Sequence, residues 1–141
     1  MNNDQDIIDS RDVIKRLEEL EAVKENMEEA QAALAEDLDN EELQEETDDA
    51  QQDYEDIKDE LEALEALAEE ASGSPGWSYG ETLIRESYFK EYAQELADDI
   101  GAIDSNVVWP VNCIDWEEAA SQLSQDYTKV DYDGVTYLIR G

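Results

Sequence analysis

The chain has 141 residues, of which 41 are Asp or Glu and 9 are Lys or Arg, so its formal net charge is -32. A surface with this charge repels phosphates, which excludes direct binding to nucleic acid or to an anionic membrane and favours basic partners. The length suits one ordinary domain, or a small domain with an extended element attached.

Residues 1–72 are predicted to form an acidic helical segment. They contain no Gly, Pro, Trp, Phe or Cys, and they hold 28 acidic residues against 5 basic ones. Apolar residues recur at spacings of three and four in two registers, one from Val13 to Leu38 and the other from Leu43 to Ala68. Such a pattern is typical of helices that pack along an apolar stripe.

The step between the two registers predicts a turn. Leu38 and Leu43 are separated by a spacing that no continuous heptad allows, and Asn40 is a favourable N-cap for a second helix. We therefore expect two antiparallel helices, over about 12–38 and 41–71, in a coiled-coil-like hairpin. The alternative is one long kinked helix that dimerises with a second copy.

The second part of the chain predicts a small α+β domain over residues 81–141. Segment 73–80 contains Gly and Pro, which end the helix, so it forms a linker and the start of this unit. A helical stripe follows from Phe89 to Ile100, and Gly101 is the expected stop after it.

Two further elements complete this unit. Asp115 and Glu118 have the spacing of a capped helix start. Segments 128–132 and 135–139 alternate around Asp133-Gly134, a two-residue turn signal. The predicted fold class is therefore α+β, with an N-terminal acidic helical hairpin followed by a small α+β domain that ends in a β-hairpin.

Motifs for catalysis are missing from the sequence. It has no histidine, and its six glycines match no phosphate-binding loop. Asp37, Asp39 and Glu41 lack the glycine that a calcium loop requires, so we interpret them as the corner of the hairpin. We expect no enzyme activity, no cofactor and no metal, and an enzyme whose carboxylates hold a metal is the least favoured hypothesis.

The cysteine and the tryptophans are expected in the core. Cys113 has no neighbouring base or cation, which favours a small buried hydrophobe over a reactive thiol. Trp77, Trp109 and Trp116 are likewise expected to pack together rather than to stack on a ligand. A single cysteine, with neither a secretory signal nor a long apolar stretch, predicts a soluble intracellular protein.

The charge density of the helical segment is close to that of DNA. Duplex DNA carries about one negative charge per 1.7 Å of its axis. A hairpin of two helices of about 30 residues is roughly 45 Å long, so its 28 carboxylates amount to about one per 1.6 Å. Ordinary solvated helices mix Glu with Lys, whereas these acids repel one another, so the pattern favours a role for the electrostatic field itself.

A series of short motifs in the C-terminal unit matches a known pattern. It consists of Tyr92-Ala93-Gln94-Glu95-Leu96-Ala97, Gly101-Ala102-Ile103, Ile114-Asp115-Trp116-Glu117, Leu123, Asp126-Tyr127 and Gly134. This region of about 50 of the 141 residues resembles the last domain of the ArdA-type antirestriction proteins. Members of that family come from phages and mobile elements, and they are acidic, elongated, dimeric DNA mimics that occupy the DNA site of type I restriction-modification enzymes. The resemblance implies a target of that kind, the cytoplasm of a host cell and a possible homodimer.

Two functions are compatible with these features. The first hypothesis is a DNA-mimic inhibitor of a basic DNA-binding protein, either a restriction-modification enzyme or another defence protein. Its predicted partner-binding carboxylates are Glu41, Glu42, Glu45, Glu46, Asp48, Asp49, Asp53, Glu55, Asp56, Asp59, Glu60, Asp98, Asp99, Glu117 and Glu118. The alternative is a structural coiled-coil phage protein, a virion or scaffolding component, whose binding would depend on apolar stripe residues such as Leu17, Leu20, Leu61 and Leu64.

Overall fold

The structure, a computed structural model, describes residues 1–104 and 106–141. Within these ranges the chain has four α-helices and four β-strands, so the fold class is α+β, as predicted. The helices are α1 (Ser10–Glu36), α2 (Glu41–Ala71), α3 (Phe89–Asp99) and α4 (Trp116–Leu123). The strands are β1 (Ile7–Asp9), β2 (Thr82–Arg85), β3 (Tyr127–Tyr132) and β4 (Val135–Arg140).

Helices α1 and α2 turn back on each other at residues 37–40 and form a hairpin. The side chain of Asp9 accepts a hydrogen bond from the Arg11 amide at 2.8 Å, so α1 begins two residues earlier than expected. Asn40 caps α2 as predicted, since its side chain accepts from the Leu43 amide at 3.2 Å. The alternative of one long continuous helix is therefore wrong.

The apolar stripes of the two helices face inward over most of their length. Val13, Leu20 and Met27 of α1 are buried, as are Leu61 and Leu64 of α2. By contrast, the stripe does not extend to Leu38, although the heptad spacing included this residue. Leu38 is exposed because α1 ends at Glu36, which places it in the turn.

The N-terminal segment also adds a strand to the sheet, which the fully helical interpretation of residues 1–72 did not include. Ile7 and Ile8 in β1 pair antiparallel with Ile84 and Leu83 in β2. Two successive β-branched residues favour an extended backbone. The four strands form one antiparallel sheet in the order β1-β2-β4-β3.

Both faces of this sheet are covered by helices. Alternate residues of a strand point to opposite faces. Leu83 of β2 packs in a core cluster with Leu61, Leu64 and Leu67 of α2, at the base of the hairpin. The next residue, Ile84, belongs to a second cluster on the other face, built mainly from α3 and α4. The larger core therefore continues across the predicted linker at 73–80.

The closing β-hairpin agrees with the prediction and extends one residue further at each outer end. Asp133 and Gly134 have φ values of 49° and 83°. Positive φ at both central residues is what a two-residue type I′ turn requires. Asp115 caps α4 as predicted, by accepting a hydrogen bond from the Glu118 amide at 3.2 Å.

Three residues that were expected in the core are exposed. Ile100, Trp109 and Cys113 all lie in the connection between α3 and α4, whose described residues belong to neither core cluster. Trp77 is buried as expected, and Trp116 is half-buried. Among the described residues, no helix is sufficiently long and apolar to cross a membrane.

Ser10 should be a structural residue, because it connects the start of α1 to the segment after α2. Its buried hydroxyl donates to the Trp77 carbonyl and accepts from the Glu81 amide, both at 2.7 Å. Ser10→Ala should lower the free energy of unfolding by about 1–3 kcal/mol, because it leaves buried polar groups unpaired. Urea denaturation measures this loss, and Ser121→Ala, at an exposed helical position, serves as the control. Equal midpoints for the two variants would contradict the structural role.

Candidate acidic binding surface

Most of the predicted partner-binding carboxylates lie on the part of the hairpin beyond the sheet. We call residues 25–57 the acidic arm. It comprises the C-terminal part of α1, the turn and the N-terminal part of α2. The acidic arm contains 15 Asp or Glu and no Lys or Arg, since Lys24 and Lys58 lie just outside it. It is therefore purely negative over both helices.

Every carboxylate of the acidic arm is exposed. Within residues 1–104 and 106–141, no ion pair joins any of these 15 carboxylates to a cation. The described ion pairs involve other residues, such as Arg11 with Asp9 and Lys129 with Glu86. The negative field of the acidic arm is thus not compensated within the described part of the chain.

Buried residues on the inner face hold the two helices of the acidic arm together. Ala50 and Thr47 of α2 are buried, and Met27 packs from α1. The Thr47 hydroxyl lies 2.7 Å from the Leu43 carbonyl and 3.1 Å from the Ala30 carbonyl of the opposite helix. Because these contacts occupy the inner face, the carboxylates are directed outward on both helices.

The spacing of charge on the acidic arm is close to that of duplex DNA. The 17 residues of α2 from 41 to 57 span about 25 Å at 1.5 Å per residue. Fifteen carboxylates over this length give about one per 1.7 Å, which is the spacing of charge along DNA. Two helices side by side are also about as wide as a duplex.

The predicted partner-binding residues of the hairpin all lie on α2 and leave out the carboxylates of α1 and of the turn. Nine of the predicted residues lie on the acidic arm and are exposed: Glu41, Glu42, Glu45, Glu46, Asp48, Asp49, Asp53, Glu55 and Asp56. Six others on the arm were not chosen: Glu25, Glu28, Glu29, Glu36, Asp37 and Asp39. The signal that identifies them is the absence of any basic residue between Lys24 and Lys58.

Glu60 differs from the other predicted carboxylates because its charge is compensated. Its carboxylate accepts from the Arg16 Nη2 at 2.8 Å and the Arg16 Nε at 3.0 Å, and also pairs with the amino group of Met1. The hydrogen bonds from Arg16 are the main reason that the pKa of Glu60 is lowered to about 2. Glu60 thus connects α1 to α2 below the acidic arm, whereas neighbouring Asp59 remains exposed.

The four predicted carboxylates of the C-terminal unit form a separate group. Asp98 and Asp99 lie at the end of α3, while Glu117 and Glu118 lie in the first turn of α4. All four are exposed, and Lys90 Nζ lies 3.9 Å from the Glu117 carboxylate. Because α3 and α4 cover the opposite face of the sheet from the hairpin, the structure does not bring this group together with the acidic arm.

The acidic side chains that the structure describes do not assemble into a metal site. A groove of about 650 Å³ between α2 and the closing hairpin is lined by Asp59, Glu62, Glu70, Asp131 and Asp133, among others. Within the described ranges, however, no group of three or more His, Cys, Asp or Glu side chains is arranged to hold a metal ion. We therefore infer that the acidic surface acts through the sum of its charges and not through a metal site.

Comparisons with protein-family models, with curated proteins and with solved structures found no match to this chain. The functional argument therefore depends on the charge, exposure and packing of the described residues.

The Glu60–Arg16 ion pair should contribute to stability in a pH-dependent way. The pKa of Glu60 is about 2 in the folded state, against an ordinary value of 4.5. The ion pair therefore stabilises the fold above about pH 4.5, and this contribution is lost as the pH falls towards 2. The free energy of unfolding of Glu60→Gln should thus be lower than that of the parent chain near neutral pH, and the difference should shrink below pH 4.5.

Urea denaturation at a series of pH values measures this difference. Glu45→Gln, which removes an exposed carboxylate of the acidic arm, is the matched control and should not be destabilising. A difference between the parent chain and Glu60→Gln that stayed constant down to pH 2 would contradict the assignment.

Proposed function

We propose that the chain is a DNA-mimic inhibitor from a phage or mobile element. It occupies the DNA-binding site of a host protein, either a restriction-modification enzyme or another DNA-binding defence protein, in the cytoplasm of the host cell. The acidic arm is the observation that carries this proposal, since it combines 15 exposed carboxylates with no basic residue. Neither catalysis nor a cofactor is needed for this function.

The energetics of such an interaction resemble those of DNA binding. Lys and Arg in a DNA site normally contact phosphates, and the contacts release counterions, which makes the affinity steeply salt-dependent. A carboxylate array at the same linear density offers the same residues a similar set of partners. Binding of the acidic arm should therefore weaken with salt as DNA binding does.

The cost of the acidic arm also supports a role for its charge. Like charges at neighbouring helical positions destabilise a helix, and Lys at some of these positions would reduce the repulsion. An inert solvated helix has no need of such an excess. The resemblance of the C-terminal unit to the ArdA-type proteins supports the same class of target and leaves a homodimer as part of the proposal.

The structure gives less support to a structural coiled-coil protein. That alternative requires apolar stripe residues to be available to another chain. Leu20, Leu61 and Leu64 are instead buried in the core that joins the hairpin to the sheet, and Leu17 packs against that core. The exposed outer faces of the acidic arm are charged, which favours an electrostatic contact over a coiled-coil contact.

A competition assay tests the proposal. The chain is added to complexes of duplex DNA with a panel of restriction and defence enzymes, at several salt concentrations. We expect displacement of DNA from at least one enzyme, with an affinity that falls steeply as salt increases. No displacement from any enzyme would contradict the proposed function.

Neutralising the acidic arm should abolish this displacement. The test variant changes Glu45, Glu46, Asp48, Asp49, Asp53 and Asp56 to the corresponding amides, and it should lose binding and most of its salt dependence because the field is a sum over many charges. The matched control changes the same number of exposed carboxylates outside the arm: Glu18, Glu21, Glu62, Glu65, Glu69 and Glu91.

The control should retain most of its affinity. Equal losses in the two variants would show that total charge, rather than the acidic arm, determines binding. Loss of binding on neutralising one carboxylate alone would indicate a specific contact instead.

A further inference from the structure

The connection between α3 and α4 exposes an apolar surface on an otherwise highly charged protein. Val108 and Trp109 each have 73% of their surface exposed, and Val107 has 44%. We call these three residues the apolar patch. Large apolar side chains that lie together at the surface commonly mark an interaction site.

Backbone hydrogen bonds lie on both sides of the apolar patch. The Val107 amide donates to the Asp104 carbonyl at 3.0 Å, and the Asn112 amide donates to the Val108 carbonyl at 2.7 Å. The Cys113 amide donates in turn to the Pro110 carbonyl at 2.9 Å. The connection spans 16 residues, from Ile100 to Asp115, and contains a short 3-10 helix at Val111–Cys113.

The charge pattern around the apolar patch indicates what it fits. Residues 105–114 contain no charged side chain, although 35% of the chain is charged. The flanking sequence is acidic, because residues 91–128 hold nine Asp or Glu and no Lys or Arg. Asp104 precedes the patch, and Asp115 follows it. The chain is therefore uncharged at the apolar patch and acidic on both sides of it.

This pattern disfavours a second copy as the occupant. Two such surfaces in contact would place carboxylates opposite carboxylates, and each chain carries a net charge of -32. The complementary surface is an apolar pocket bordered by Lys and Arg. Aromatic residues at the centre of interfaces commonly supply much of the binding energy when a rim of polar residues excludes water.

We propose that the apolar patch is an anchor that inserts into an apolar pocket, bordered by Lys and Arg, on the protein whose DNA-binding site the acidic arm occupies. This inference rests on the proposed function and deepens it. The acidic arm supplies a salt-dependent attraction that any basic DNA site would feel. The apolar patch adds a contact that depends on shape and not on salt, and thereby selects among basic proteins.

The competition assay separates the two contributions when it uses Trp109→Ser. This variant should bind about tenfold more weakly or worse at every salt concentration. The slope of log Kd against log salt should equal that of the parent chain, because no charge is lost. Tyr79→Ser is the matched control, since Tyr79 is an aromatic residue with 85% exposure outside the apolar patch, and it should bind as the parent chain does.

Each outcome supports or overturns the proposal. Displacement of DNA by the parent chain, with equal displacement by Trp109→Ser, would overturn the anchor and leave the proposed function intact. No displacement by the parent chain would overturn both. Sedimentation of the free proteins provides the remaining test, because a parent chain that is dimeric and a Trp109→Ser variant that is monomeric would assign the apolar patch to self-association.

Discussion

Repulsion between like charges is the constraint on which the rest of this structure depends. The acidic arm places 15 carboxylates on two adjacent helical segments without one basic residue among them. Its inner face has few buried residues, among them Met27, Thr47 and Ala50. The larger apolar contacts lie at the base of the hairpin, where Leu61, Leu64 and Leu67 pack against the sheet. The base therefore stabilises an arm that would be marginal in isolation.

The sheet determines how the two acidic regions are arranged. One face packs against the hairpin and the other against α3 and α4, so the acidic arm and the carboxylates of α3 and α4 belong to different layers. The strand β1 attaches the start of α1 to β2, and Glu60 connects α1 to α2 through Arg16. In consequence, the direction of the arm is fixed at its base, and an array of carboxylates can be presented before a partner binds.

Features that depend on local sequence could be predicted, while features that depend on distant contacts could not. The caps Asn40 and Asp115 and the turn Asp133-Gly134 act on their immediate neighbours, so the corresponding element starts and turn agree with the prediction. Strands β1 and β2 have three and four residues and gain stability from partners far along the chain. No periodicity is visible over so short a length.

In the candidate site, too, the features set by local sequence could be predicted and those set by distant contacts could not. Counting charges was enough to place the field on the hairpin, because exposure of a carboxylate is the ordinary outcome. The compensation of Glu60 depends on Arg16, which is 44 positions away, so it needs the tertiary structure. The exposure of Trp109 was also mispredicted, since aromatic residues are usually buried and only the packing shows that the connection after α3 lies outside both clusters.

Amide hydrogen exchange along α1 and α2, measured without a partner at low and high salt, tests the central claim most directly. The account predicts that residues 25–36 and 41–57 are protected as helix and that their protection increases with salt as repulsion is screened. It also predicts that residues 61–71 at the base are protected at both concentrations. Exchange of residues 25–57 at the rate of an unfolded chain under both conditions would contradict it, because a disordered segment presents no DNA-like array.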